Sequence, residues 1–217
     1  MILAAQAVGQ GAAAITLSVA GEPHRGALYR TWRDGSLAQP VTIANGGTAA
    51  AQVVLSVTGN PIGPEPAASH GFTIERSYYR LDGTKVDPAQ ARQNDRFVTV
   101  LKVTEPEAKY GRVLLVDRLP AGFEIDNPKL VDSGSVGALS WLKAEVEPAN
   151  AEYRDDRFVA AFDRATDQSA FFTVAYVVRA VAPGRYVHPP ASVEDMYRPD
   201  RFGRTDFGTV EVTATVR

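Results

Sequence analysis

Residues 170–180 read AFFTVAYVVRA. Phe172, Val174, Tyr176 and Val178 take every second position, the period of an extended strand. The residues between them, Thr173, Ala175 and Val177, also tolerate burial, so the segment is expected to be a strand covered on both faces, near the centre of a β-sandwich.

Working outward, the same texture recurs in Phe72 to Leu81, Arg96 to Thr104, Gly111 to Leu119, Arg157 to Phe162 and Gly208 to Val216. Turn chemistry separates these runs: Asp82-Gly83, Leu119-Pro120-Ala121-Gly122 and Pro183-Gly184. Six or seven strands over about 145 residues is the number a two-sheet sandwich uses. The sandwich is expected to run from Gly71 to Arg217. Asp-Arg-Phe begins at Asp95, Asp156 and Asp200 with unequal separations, and is read as repeated strand-entry chemistry, not as an internal repeat.

Upstream, Gly59-Asn60-Pro61-Ile62-Gly63-Pro64-Glu65-Pro66 prevents regular structure and marks a domain junction. Before it, Ile15, Leu17 and Val19 alternate as in a half-buried strand. Further strands are expected over Ala27–Arg33, Pro40–Ala44 and Ala51–Thr58, the last two paired through a turn at Asn45-Gly46. Four strands in about fifty residues do not close a sandwich, so this part reads as a sheet fragment whose partners lie elsewhere. Residues 1–8 read as the last turns of a helix, with Gly9 at its C-cap, and not as a signal peptide, because no basic segment precedes a short apolar run broken by Gln6.

Composition excludes several classes of function. The 217 residues carry 23 basic and 25 acidic side chains, too balanced for electrostatic binding of nucleic acid. A hydrophobic content of 45% fills an ordinary core without a metal or disulfide staple. Cysteine is absent, which removes thiolate chemistry and Cys-type zinc sites. No apolar run approaches the roughly 20 residues that cross a bilayer, so no membrane insertion is expected.

Few side chains stand in a pattern that catalysis uses. His24, His70 and His188 lack metal-ligand spacing, and His188 before Pro189-Pro190 reads as a turn residue. No nucleophile elbow or phosphate-binding glycine loop occurs. The adjacent acids Asp155-Asp156 and Glu194-Asp195 would point to opposite faces of a strand and so do not form an acid–base pair. Lys102 could enter an isopeptide crosslink, but the last strand offers no Asn. The expectation is a non-enzymatic chain with no cofactor and no metal. The most unusual segment is His188 to Asp200, a proline-stiffened entry followed by Met196, one of two methionines in the chain, and Tyr197. Two readings stand for it: a segment built to hold side chains in place, or an ordinary connection with both residues tucked against the core.

The blocks VTEPEAKYGRVLLVDRLPAGFEIDNP (103–128), GALSWL (137–142), DDRFVAAF (155–162) and HPPASVEDMYRPD (188–200), in this order, resemble the carboxy-terminal part of bacterial alpha-2-macroglobulins. The likeness covers about residues 70–217. GALYRTW (26–32) is similar, less distinctly, to the CUB-type β-domain of that family. The resemblance implies an all-β chain: an Ig-like, macroglobulin-like antiparallel sandwich (71–217), preceded by the returning half of a CUB-type sheet (10–62), a linker (63–70), and a short helix remnant of a thioester domain (1–9).

It also implies a role. The parent would be a broad-spectrum protease trap of the periplasm or cell envelope, with lipid anchoring as an option. Bait cleavage would rearrange it, and an exposed Cys-Gln thioester would capture the protease. This chain has no cysteine and would act on that bond from outside, with Met196 and Tyr197 as the residues matching the family's thioester shield. Its partners would be the thioester domain, other macroglobulin domains of the same parent, and target proteases through the parent. The alternative from another class is an Ig-like adhesion or protein-binding module of the envelope.

Overall fold

A computed structural model describes residues 12–33, 39–48, 50–59, 63–128, 134–137, 139–142 and 146–215. The helix expected at 1–9 lies outside these residues. The chain divides into two compact units, Met1–Asn60 and Pro61–Arg217.

The first unit holds a small antiparallel sheet of β1 (Thr16–Val19), β2 (Glu22–Arg25) and β3 (Ile43–Asn45), in the order β2-β1-β3. β1 and β2 are joined by Ala20-Gly21, with φ of 53° and 89°. Two successive positive values make the tight turn that matches strand twist. Pro23 is accommodated in β2 because that strand is an edge. Two expected strands are not formed: 27–33 and 51–58 carry no strand. Asn45-Gly46 makes no hairpin with 51–58; instead Gly46 N–H donates to Thr16 O at 2.9 Å, returning the chain to β1. Val53, Val54, Leu55 and Val57 are exposed. A β-prone sequence becomes a strand only where another strand accepts its hydrogen bonds, and 51–58 meets none.

In the second unit the strands are β4 (Ala68–His70), β5 (Thr73–Tyr79), β6 (Lys85–Val86), β7 (Gln90–Arg92), β8 (Arg96–Thr104), β9 (Gly111–Arg118), β10 (Phe123–Ile125), β11 (Asn150–Tyr153), β12 (Arg157–Arg164), β13 (Phe171–Ala180), β14 (Gly184–His188), β15 (Ala191–Asp195), β16 (Arg198–Arg204) and β17 (Gly208–Thr213). Two larger sheets run β10-β13-β8-β5-β6 and β11-β12-β9-β15-β16-β4; a smaller one runs β14-β17-β7. Pairing between these strands is antiparallel except β17 with β7. β4 falls inside the stretch read as linker and pairs with β16.

Residues 170–180 behave as their pattern requires. β13 lies between β10 and β8, and Val174 through Val178 are buried without interruption. Its rings reach the opposite sheet: Tyr176 stacks on Phe158 of β12 with centroids 4.5 Å apart, and Phe172 meets Phe162 at 4.6 Å. These two aromatic pairs, with Leu101, Val103, Val113 and Leu115, form the centre of one apolar core. The connection from β10 to β11 sends Trp141 back over the β5–β6 turn. Its Nε1 donates to Leu81 O at 3.0 Å, and a Cβ at Gly83 would stand 2.9 Å from the indole, which is why only glycine fits there.

Asp95 and Asp156 stand just before β8 and β12, as strand-entry residues. The third Asp-Arg-Phe lies within β16 instead, and its Arg201 has a different task.

Candidate functional site

Ion pairs thread the interior of the sandwich. Arg76 on β5 donates to Asp117 on β9 at 2.6 Å, and Tyr176 Oη donates to the other Asp117 oxygen at 2.7 Å. Burial pushes the Asp117 carboxyl up, against the pull of Arg76 and the Tyr176 hydroxyl. A second set lies towards one end. Arg164, at the end of β12, has its guanidinium 4.7 Å from the Phe172 ring centroid and donates through Nε to Glu105 Oε1 at 3.3 Å. The other oxygen of Glu105 accepts from Arg201 Nη2 at 2.8 Å, and Arg201 Nη1 donates to Asp195 Oδ2 at 3.1 Å. Arg201 itself lies over the Phe72 ring at 4.7 Å. Asp117, Glu105 and Asp195 are thus each paired, as burial of charge demands.

This network ends at the residues singled out in the sequence. His188 to Asp200 is not a long connection: it contains β15, the start of β16 and a turn between them. Met196 and Tyr197 are the turn residues, and they are 55% and 79% exposed. They are not tucked against the core. The strand register explains their placement. Asp195 pairs with Arg198 but Glu194 pairs with Phe202, so Pro199, Asp200 and Arg201 form a bulge on β16. The bulge turns Arg201 inward and leaves the turn projecting.

Asp195 is only 1% exposed, whereas Glu194 is exposed, so these acids do occupy opposite faces. Asp195 Oδ1 accepts the backbone N–H groups of Tyr197 at 3.1 Å and Arg198 at 3.2 Å, and Oδ2 accepts from Arg198 Nε at 2.8 Å. Met196 N–H donates to Arg112 O at 2.8 Å. Arg198 also bonds the carbonyl of Tyr110. Tyr197 borders a shallow depression of about 390 Å³ shared with Lys109, Tyr110 and Arg112. The sequence singles out the two displayed side chains and gives Asp195 only as one of two adjacent acids, without its role at the turn; it does not single out Arg201 or Glu105 for this role. The available signal was an Asp directly preceding the turn, a residue type that bonds backbone N–H groups two and three positions on.

Each histidine has its own local surroundings. His24 Nε2 lies 3.2 Å from Ala27 O, and His70 stacks on Phe202 at 4.7 Å. His188 is not a turn residue: it ends β14, is buried, and hydrogen-bonds Tyr78 Oη at 2.8 Å. Burial, with Arg76 nearby, lowers its pKa to about 3. The groove beside it, about 700 Å³ and bordered by Glu75, Arg76, Asp87 and Asp206, therefore contains an imidazole too weakly basic to take a proton at neutral pH. Lys102, the candidate crosslinking residue, is exposed and lies 5.3 Å from the Phe171 ring centroid.

Residues 71–200 match the family model of the bacterial alpha-2-macroglobulin MG10 domain. The chain belongs to that family. Among relatives of the MG10-containing chain, alpha-2-macroglobulin of Xylella fastidiosa strain 9a5c is 31% identical over 79% of this chain and 11% of its own length. That of Escherichia coli K12 is 32% identical over 72% of this chain and 10% of its own length. The chain thus spans about a tenth of these curated relatives. Salmonella alpha-2-macroglobulin reacted with methylamine superposes with a TM-score of 0.69 at 26% identity, over 97% of this chain and 14% of that one. Trypsin-activated E. coli alpha-2-macroglobulin gives 0.61 at 29% identity, over 71% of this chain and 11% of that one. The MG10 assignment carries the macroglobulin-like β-sandwich with it.

Proposed function

We propose that this chain is a structural and regulatory module of a bacterial alpha-2-macroglobulin that inhibits proteases broadly, and that its Met196–Tyr197 turn shields the thioester of a neighbouring domain. The observation that carries the proposal is the display of a thioether and a phenol ring, 55% and 79% exposed, on a turn anchored to a carboxylate that is 1% exposed. Met is among the residue types most often buried, and a flat ring beside a flexible thioether excludes water from a surface laid against them. A thioester persists only where water is kept away. Related proteins are described as activated by trypsin and by porcine elastase, and one as reacted with methylamine, a nucleophile of the kind that opens thioesters.

On this reading residues 10–62 are the returning half of a CUB-type sheet, which accounts for the unpaired apolar stretch at 53–57. The parent acts in the periplasm or cell envelope. The module itself performs no bond chemistry; its partners are the thioester domain, the other macroglobulin domains of the parent and, through the parent, the captured protease.

Tyr197→Ala in the full-length parent is the test. Free thiol should appear without protease on the order of tenfold faster, the factor that about 1.4 kcal/mol of lost barrier produces. Unchanged release would remove the shielding role.

A further inference from the structure

We infer that Asp195 is the positioning residue of this turn: its buried carboxylate, fixed through Arg201 to Glu105, sets the backbone that presents Met196 and Tyr197. The purpose of that presentation rests on the shielding reading above; the positioning itself rests on geometry.

A two-residue loop between antiparallel strands ordinarily takes one of the two turn types with positive φ, because only those follow the twist of the strands. The β1–β2 turn obeys this at Ala20-Gly21, but neither Met196 nor Tyr197 has a positive φ. With two bulky residues there, the chain reverses by other means. Asp195 supplies them: one oxygen gathers two successive backbone N–H groups, and the other binds Arg198 and Arg201. Without it, the turn keeps the backbone pairing of residue 195 with Arg198, the Met196 N–H bond to Arg112 O and the Arg198 bond to Tyr110 O.

The carboxylate is itself held. Asp195 and Glu105 are both almost fully buried, and Arg201 spans them. Glu105 in turn binds Arg164, which packs on the Phe172 ring in the core. The exposed turn is therefore tied, side chain to side chain, to the aromatic centre of the sandwich. An Asn at 195 could still accept the backbone N–H groups but would bring no charge to Arg198 and Arg201; an Ala could do neither.

Amide hydrogen exchange of the 217-residue chain tests this, with Asp195→Ala and Asp195→Asn. In Asp195→Ala the Tyr197 and Arg198 amides should exchange on the order of tenfold faster, the factor carried by one charge-assisted hydrogen bond. The Leu115 amide in β9 should stay unchanged, and Asp195→Asn should restore most of the Tyr197 protection. Unaltered Tyr197 and Arg198 rates in Asp195→Ala would overturn the inference, as would a parallel rise at Leu115, which signals general loosening. Should Asp195→Ala not fold, Arg201→Gln decides: it severs the link to Glu105 and should speed Tyr197 exchange, and an unchanged rate refutes the inference. These readings need no thioester. If positioning holds while Tyr197→Ala leaves thiol release unaltered in the parent, it is the shielding reading that fails.

Discussion

His188 shows how one residue can tie stability to acidity. Its imidazole is buried and neutral, with a pKa near 3 against about 6.5 in the unfolded chain. Between those values the unfolded chain binds a proton that the folded one refuses. The stabilisation is complete above pH 6.5 and is lost as pH falls towards 3, with a slope of up to about 1.4 kcal/mol per pH unit. His188→Gln is therefore expected to flatten the pH dependence of urea unfolding in that window relative to the parent sequence; equal slopes would contradict it. Sequence alone placed His188 in a turn because Pro189-Pro190 follow it. The prolines do end β14, but the ring points inward to Tyr78, and nothing in the local pattern encodes a partner 110 positions away. Met196 stood out for the opposite reason: it is one of two methionines in the chain, and rarity of residue type is visible without coordinates, whereas Tyr197 drew notice as its neighbour and through the family resemblance.

Among the elements, β8, β9, β12 and β13 were legible to within two residues, because each is long and its burial follows from its own alternation. The failures, at 27–33 and 51–58, were segments whose strand character depends on an unmet partner. β15 and β16 were hidden by the prolines at 189, 190 and 199, the last of which sits in the bulge and so removes no regular ladder bond. β16 also packs closely on the chain just after β4. A Cβ at Gly203 would lie 2.6 Å from the carbonyl oxygen of Phe72, a backbone atom that cannot swing aside. Gly203→Ala should therefore cost about 1–3 kcal/mol, the range of overpacking in a filled interior, read as a lower urea midpoint with an unchanged m-value.

At the scale of the whole molecule, the apolar cluster of the second unit is formed, among the described residues, by side chains from Phe72 to Val212. A chain of residues 63–217 should thus fold by itself, with fluorescence and circular dichroism melting in a single coincident transition; divergent transitions would show that it depends on the preceding unit. The same truncation removes Val53, Val54, Leu55 and Val57, so it should also bind less of an apolar dye than the full chain. The parallel pairing of β17 with β7 bears on how this core is first assembled. Thr213 bonds the carbonyl of Ala91 across 122 positions. At a synthesis rate of roughly 5–20 residues per second, β7 waits on the order of ten seconds for that neighbour to be made. Through that interval the ribosome, and whatever attends the nascent chain, must tolerate an open seam beside the barely formed sandwich.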